Sequence, residues 1–420
     1  MEKLYRLKEC SNHDVNRLEC IITSNLKNND KKKAAENARD LAKLLYKKNN
    51  LVYALEKLND AAKLHNELKL YLREYQDRIY IVEIYLEMND IFEVANEYTK
   101  IGALCKEKLN EKRKAAMFFK EAALSFERIG NYFACHKLAY QACECSNNFD
   151  FKIQMLNMAI RSSIKQQLHT KVLFYVEEIF KYKKYESTDA TYLSLCRKGY
   201  YAAKNIDDEK KVVYYLEPLL SCHINEGKEQ RDIEVIGKDF LLAYIKDKRK
   251  IDEKVYWAID SIYTDRLQKA NLLNDLSIAC NELGLLDDSR MLKIKSFDNM
   301  KNYYYESKKY GKGLLYSIWK LSSEYGESLL RWSTVSTVLI LFFAFIYFII
   351  GCFYPGAFGG SRNYTLLTPF YFSCVTFTTL GFGDIYPTIV IAELAVITEV
   401  ILGYMMLGGV VSIFTKKLFR

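Results

Sequence analysis

The residues that most clearly suggest a chemical function are the six from Thr379 to Asp384, Thr-Leu-Gly-Phe-Gly-Asp, which lie between two long apolar segments. Glycine reaches positive φ without steric cost, so alternating Gly381 and Gly383 with larger residues lets successive backbone carbonyls point the same way. Carbonyls aimed along one axis can replace the water shell of a dehydrated monovalent cation. Irregular backbone survives at membrane depth only where protein or a water-filled cavity covers it. The stretch therefore predicts an ion site.

The two flanking segments are long enough to cross a membrane. The first, from Trp332 to Phe353, contains no charge, and the second, from Ile389 to Phe414, contains two acidic residues. At about 1.5 Å per residue, each can span a hydrocarbon core of roughly 30 Å. Buried core helices are the alternative interpretation. Between the segments, Thr368-Pro369 is typical of an N-cap followed by a first helical residue, which predicts a short helix from Pro369 to about Thr378.

The motif and its flanks resemble the pore domain of the two-transmembrane-helix potassium channel family, over roughly residues 332 to 420. Thr379-Leu-Gly-Phe-Gly-Asp384 fills every position of the family's Thr-x-Gly-(Tyr/Phe)-Gly-Asp filter pattern. Two departures leave the degree of selectivity open. Phe382 lacks the hydroxyl of the commoner tyrosine, and Tyr371-Phe372 replaces the common tryptophan pair.

The resemblance implies specific roles for the filter residues. Asp384 would face the outer mouth, and the pore would lie on the axis of a homotetramer. No cofactor is implied other than potassium as the permeating ligand. The filter residues that would bind the dehydrated ions through their carbonyls, with the Thr379 hydroxyl contributing, are Thr379, Leu380, Gly381, Phe382 and Gly383.

The second span carries a candidate hinge and a candidate cavity face. Gly403 lies twenty residues after Gly383, which is the spacing at which the family places its gating hinge, and glycine weakens a helix there by about 1 kcal/mol relative to alanine. Three and four spacing groups further residues on one face, which we assign to the cavity. These cavity-lining residues are Tyr404, Leu407, Gly408 and Val411.

Glu399 is the unusual side chain of the second span. At about 100° per residue it lies roughly 140° from Tyr404, so we expect it behind the filter and away from the cavity. A carboxyl group there is costly unless it is protonated or hydrogen-bonded. The hydroxyls of Ser373 and Thr376 on the short helix are candidate partners.

Residues 1–310 predict an all-α fold, an antiparallel helical-repeat solenoid that precedes the two-span pore module. This part contains one proline and six of the eighteen glycines, so the turn residues that sheets need are scarce. A helix-opening Asn or Gly recurs at positions 49, 89, 110 and 130, followed by small or apolar residues at fixed offsets. Such repetition is typical of stacked repeats. Residues 130–142 resemble the second helix of a tetratricopeptide-type repeat, and a plain helical bundle is the alternative.

Charge and composition exclude several function classes. The net charge is +9, but lysines alternate with acidic residues along the predicted helices, which indicates solvated faces and no nucleic-acid partner. The five histidines are isolated and no Gly-rich phosphate loop appears, so we predict that the protein is not an enzyme. The eleven cysteines lack the paired spacing of a zinc site, and we interpret them as reduced core thiols.

The sequence predicts three consecutive segments and their orientation in the membrane. We predict a cytoplasmic tetratricopeptide-like repeat domain (1–310), a linker and interfacial helix (311–331) that begins at Gly311-Lys-Gly313, and a pore domain (332–420). A last helix of the solenoid is the alternative interpretation of the interfacial helix. Basic residues precede the first span and follow the second, whereas Arg362 is the one basic residue in the loop between the first span and the short helix. This asymmetry places both termini in the cytoplasm of a protein that crosses the cell membrane twice. The lipid bilayer is thus one expected partner.

The preferred hypothesis is a potassium-selective ion channel subunit that is modulated by its repeat domain, which would bind a protein or peptide. One alternative is a cation channel of relaxed selectivity. Another is a membrane-anchored helical-repeat scaffold with a vestigial pore. The intact filter motif favours the first hypothesis.

Overall fold

The computed structural model describes residues 2–186, 189–360 and 365–418. Arg362 and Arg420, which enter the orientation argument, lie outside these ranges. The described residues are about 80 per cent helical. The chain forms two compact units, residues 1–222 and 223–420.

The first unit is built from consecutive helices, the last of which runs into the second unit. In chain order they are α1 (Glu2–Lys27), α2 (Lys31–Lys47), α3 (Leu51–Glu67), α4 (Tyr71–Glu87), α5 (Ile91–Glu107), α6 (Lys112–Arg128), α7 (Tyr132–Cys145), α8 (Phe149–Lys165), α9 (His169–Tyr182), α10 (Ala190–Asn205) and α11 (Glu209–Asn225).

Sequential helices of this unit pack on one another from α1 to α10, as in a solenoid. Most of them have 17 residues and are separated by three-residue turns, and a left-handed residue occupies each turn between α1 and α7. Side chains of Asp30, Asn50, Asp90 and Asn131 accept hydrogen bonds from the N–H groups three residues later and so cap four of the helices. The all-α solenoid predicted from the sequence is confirmed.

A buried polar network joins the helices α2, α3 and α4. Asp77 is fully buried; one carboxylate oxygen accepts from the Arg39 guanidinium and the other lies 2.6 Å from Nδ1 of His65. Arg39 also donates to the backbone carbonyl of Arg73 at 2.9 Å. A buried carboxylate is tolerated here because both of its oxygens have polar partners.

The second unit contains the last repeat-type helices and the apolar C-terminal region. Its elements are α12 (Gln230–Lys246), α13 (Glu253–Ile262), α14 (Arg266–Glu282), α15 (Leu286–Glu306), α16 (Tyr310–Ser323), α17 (Leu329–Phe353), β1 (Phe358–Gly360), α18 (Thr368–Phe377), β2 (Ile385–Pro387) and α19 (Val390–Leu418).

Two of these helices are candidate membrane spans, Leu329–Phe353 and Val390–Thr415. Only 22 and 17 per cent of their most apolar windows are buried, which fits lipid-facing helices better than core helices of a soluble domain. The short α18 packs against both spans. Their common core contains Phe343 and Tyr347 of α17, Phe372 of α18 and Ile385 of β2.

The start of α16 corrects one expectation. Gly311 and Gly313, predicted to mark a boundary, lie in the first turn of α16. A Cβ at Gly313 would lie 3.0 Å from the ring of Tyr305, so this glycine lets α16 pack closely on α15. The chain leaves helical geometry only after Ser323, and α17 begins at Leu329. The opposite face of α16 exposes Leu314, Leu315, Ile318 and Leu321.

Candidate ion-conduction site

The short helix α18 leads directly into the candidate filter. It begins at Thr368, one residue before the expected start, with Leu367 as the N-cap, and Thr368 instead accepts a hydrogen bond from the Thr365 N–H at 2.7 Å. At the other end, the N–H groups of Thr379 and Leu380 donate to carbonyls of the last turn of the helix, both at 3.0 Å. The filter stretch is thus fixed to α18 from its first residue.

Backbone angles alternate along the stretch. Thr379, Gly381 and Gly383 have positive φ values of 57°, 55° and 72°. A β-branched residue such as Thr379 rarely adopts this conformation, and residues held in it concentrate at functional sites. Positive φ at every second residue is the alternation on which the sequence argument for aligned carbonyls depends.

The two filter glycines are required by conformation rather than by space. A Cβ at Gly381 or Gly383 would meet nothing within 4 Å in the described residues. The side chains of Leu380 and Phe382 are 62 and 65 per cent exposed. A single subunit therefore leaves this strand largely open on its side-chain faces.

The C-terminal end of the stretch is held by two contacts. The Tyr371 hydroxyl donates to Oδ2 of Asp384 at 2.9 Å. Immediately afterwards β2 pairs antiparallel with β1, with Gly360 opposite Ile385. A Cβ at Gly360 would lie 2.1 Å from the Asp384 carbonyl oxygen. The β1 strand, in the loop between the first span and α18, therefore contacts the backbone of Asp384 directly.

Glu399 contacts the short helix α18 and is fully buried. Its Oε2 accepts from the Tyr347 hydroxyl at 2.5 Å, and its Oε1 accepts from the Ser373 hydroxyl. Ser373 also lies 2.8 Å from the Ile340 carbonyl. Tyr347, rather than Thr376, supplies the second hydroxyl, and one carboxyl group thus ties together α17, α18 and α19. Tyr347 bears the one hydroxyl between Val338 and Ile350, which is the sequence signal that could have identified it.

The face of α19 opposite Glu399 carries the predicted cavity residues. Tyr404 and Val411 are 75 and 65 per cent exposed, and Leu407 and Gly408 are exposed as well. The structure thus groups these four residues on an uncovered face of the subunit. Their contact with a water-filled cavity stays a prediction.

Gly403 has a packing role that the sequence did not indicate. A Cβ at this position would lie 2.3 Å from the Phe377 carbonyl oxygen. Glycine therefore allows α19 to approach the C-terminal end of α18, directly below the filter. The hinge function of Gly403 stays a prediction beside this packing role.

A pocket in the first unit is available for a ligand of the repeat helices. It has a volume of about 420 Å³ and lies between α6 and the turn from α7 to α8. Lys112 and Arg113 give it a basic side, and Met117 and Phe151 give it an apolar one. Such a mixed surface suits an acidic peptide segment that carries an apolar side chain.

Comparison with known proteins identifies the class of the C-terminal region. Residues 335–420 match the family described as "Ion channel". This region is an ion channel domain of the two-transmembrane-helix type, and a helical-repeat region precedes it. No curated protein matches the chain.

Two solved structures resemble the chain at low similarity. The structure titled "Crystal Structure of the Apo Form of RapI" has 13% identity, covers 69% of this chain and 98% of its own, and has a TM-score of 0.24. A "Circular tandem repeat protein with novel repeat topology and enhanced subunit contact surfaces" has 12% identity, covers 99% of this chain and 93% of its own, and has a TM-score of 0.17. TM-scores this low carry no argument about fold or function.

Proposed function

We propose that this chain is a subunit of a potassium-selective channel. Dehydrated potassium ions bind to the backbone carbonyls of the stretch Thr379–Phe382 and to the Thr379 hydroxyl, and Asp384 faces the outer mouth. The observation that carries the proposal is positive φ at every second residue of a stretch that is anchored at both ends between two spanning helices. That geometry suits carbonyl coordination of a desolvated cation.

Conduction through such a filter requires several copies of the chain. One subunit supplies one strand of carbonyls, and its exposed Leu380 and Phe382 side chains need covering at membrane depth. A homotetramer in the lipid bilayer places four strands around one axis and covers these surfaces. In this assembly Tyr404, Leu407, Gly408 and Val411 line the cavity below the filter.

The first test is ion flux through purified full-length protein reconstituted in liposomes. Opposing potassium and sodium gradients should drive a potassium flux well above the sodium flux. Comparable fluxes of both ions would favour a cation channel of relaxed selectivity, for which the absence of a hydroxyl on Phe382 is the sequence argument. Absence of flux would favour the scaffold alternative.

Gly381→Ala tests the position of the ion site. Alanine at this left-handed position costs about 1–2 kcal/mol of backbone strain, and its Cβ meets no atom of the described residues within 4 Å, so expression and assembly should survive while potassium flux is lost. Gly130→Ala is the matched control, because Gly130 also has positive φ (77°) and open space around it but lies in a repeat turn. Selective flux that persists in Gly381→Ala would contradict the assignment of the filter.

The proposed role of the repeat region is modulation of the pore. A cytoplasmic ligand that binds the helices more tightly in one channel state shifts the closed–open equilibrium by that difference in affinity. The basic and apolar pocket beside Lys112 and Met117 is the proposed location for a protein or peptide ligand.

Protease accessibility in sealed vesicles tests the proposed membrane orientation, since both termini should be cleaved only from the cytoplasmic side.

A further inference from the structure

The segment that joins α16 to the first span is a rigid turn. Glu324, Tyr325 and Gly326 have positive φ values of 52°, 59° and 80°, a conformation that ordinary side chains adopt only where their surroundings hold it. The Tyr325 ring is buried and lies 5.2 Å from the Phe297 ring of α15, centroid to centroid. Its hydroxyl donates to Oδ1 of Asp298 at 2.8 Å. The turn is therefore fixed to α15.

An ion-pair bridge continues from α15 to the first turn of α17. One oxygen of the Glu324 carboxylate lies 3.2 Å from Arg290 of α15, and the other lies 3.1 Å from Arg331 of α17. The Glu324 side chain is 22 per cent exposed, whereas those of Arg290 and Arg331 are 38 and 51 per cent exposed, so water screens both ion pairs to a considerable extent. Glu324 thus connects α15 to the first turn of the span.

The next residue, Trp332, contacts the inner helix α19. A Cβ at Gly409 would lie 2.1 Å from the Trp332 ring, so the indole occupies a niche that only glycine leaves free. The indole Nε1–H donates to the Met406 carbonyl at 2.8 Å. These contacts lie one to two turns beyond Gly403 and on the opposite side of α19 from Val411. The indole thus fixes the distance between α19 and the N-terminal end of α17, which is the cytoplasmic end in the proposed orientation.

We propose that Trp332 is a positioning residue that sets the placement of the inner helix in response to α15. This inference rests on the proposed channel function. Close-packed contacts have few alternative arrangements and do not deform continuously. When α15 moves, Glu324 and Arg331 carry the first turn of α17 with them, and the indole displaces α19 at Gly409. The result is a change in the closed–open equilibrium with no change in the filter.

The test measures open probability and the potassium-to-sodium permeability ratio in full-length channels. Trp332→Ala and Gly409→Ala should each change open probability several-fold and leave the permeability ratio unchanged. Because alanine at position 332 removes the ring that a Cβ at position 409 would meet, the closed–open equilibrium constant of the double variant should differ several-fold from the product of the single effects. Trp332→Phe retains most of the ring and loses the indole N–H, so it should give a smaller shift.

Gly408→Ala is the matched control for helix propensity. Its Cβ would meet nothing within 4 Å, so its effect should be the same with Trp332 or with Ala at that position. Glu324→Gln should change open probability in the Trp332 background and have no further effect in Trp332→Ala. Glu306→Gln, which breaks the exposed ion pair with Arg266, should leave open probability unchanged.

The outcomes separate the two proposals. A wild-type protein that fails to conduct would contradict the proposed channel function itself. A conducting wild type in which Trp332→Ala and Gly409→Ala combine additively, or alter the permeability ratio, would overturn the role of Trp332. Elution of each variant as the same assembly as the wild type on size-exclusion chromatography shows that a shift in open probability does not come from misfolding. If Trp332→Ala fails to assemble, Trp332→Phe combined with Gly409→Ala provides the same test of additivity.

Discussion

A carboxyl group in a membrane-spanning helix is stable only when other groups satisfy its polarity, and Glu399 has two hydroxyl partners on two other helices. Glu399→Gln keeps the shape and most of the hydrogen-bonding capacity, so we expect conduction to persist with altered filter stability. Tyr347→Phe removes one donor and should change the same property. The rate at which potassium current declines during a sustained opening is the measurement.

Tyr354→Phe is the control for this prediction, because Tyr354 follows the last turn of the same helix and is exposed. It should leave the decline of the current unchanged. Altered block by internal cations without any change in the filter would instead place Glu399 in the cavity and contradict its position behind the filter.

Single residues also show how far sequence reasoning reaches. The spacing to Tyr404 separates Glu399 from the face that carries Tyr404, because helical periodicity fixes directions on one helix, and Glu399 is buried while Tyr404 is exposed. It could not identify Tyr347, since contact between two spans depends on their packing. The positive φ of Thr379 was equally hidden, because a threonine carries no local signal for the left-handed region.

At the scale of elements, the buried network in helices α2–α4 is a structural requirement of the first unit. Asp77→Ala removes the carboxylate and leaves Arg39 and His65 without that partner in the core. Breaking a buried charge pair typically costs about 3–5 kcal/mol, so this region should unfold more readily. Hydrogen exchange of α2–α4 amides in the full-length protein measures the effect. Asp60→Ala, at an exposed position of α3, should change protection by less than about 0.5 kcal/mol.

The repeat was only partly visible in the sequence. The structure has left-handed turn residues at Asn29, Asn49, Lys69, Asn89 and Asn110. Their spacing is nearly constant and corresponds to one helix and one turn. Asparagine and glycine are typical of such left-handed turns, whereas lysine is not. The sequence pattern therefore did not include the turn at Lys69 between α3 and α4. Later turns use Gln167, Asp207 and Lys248, which explains why the pattern blurs after residue 150.

At the scale of the whole molecule, the proposed assembly predicts a dose effect. A filter made by four subunits fails when any strand is defective, so Gly381→Ala should act on channels that also contain wild-type subunits. With equal amounts of both chains mixed at random, about 6 per cent of tetramers contain only wild-type subunits. Potassium flux from co-expressed chains should fall to that level. A residual flux of about one half would indicate that each subunit conducts alone.

The division into two compact units predicts that two truncations differ. Removing residues 1–225 retains α15 and its contacts with the turn at Tyr325, whereas removing residues 1–310 also removes Asp298 and Arg290. We expect the shorter deletion to preserve the basal open probability and the longer one to change it. Single-channel recording in the same lipid compares the two. Unchanged open probability in both would leave the helices before residue 311 without a gating role.

The sequence predicts a domain boundary at residue 310 from Gly311-Lys-Gly313 and a pore domain from residue 332, and the family match covers residues 335–420. The two compact units divide the chain between residues 222 and 223, and the boundary at residue 310 stays a prediction. Aromatic contacts of Phe297 with Tyr316, Trp319 and Tyr325 link α15 to the segment before the spans. Contacts of this kind between helices follow no short-range pattern and could not be predicted.

The niche at Gly409 also constrains how this protein can change through evolution. A larger residue at position 409 is compatible with the present helix packing only if the indole at position 332 has first been replaced by a smaller side chain. Replacing the indole first leaves a cavity, which is tolerated until it is filled, whereas enlarging position 409 first produces a clash. Lineages that diverge here should therefore substitute position 332 before position 409, and reconstructed ancestral sequences would record that order.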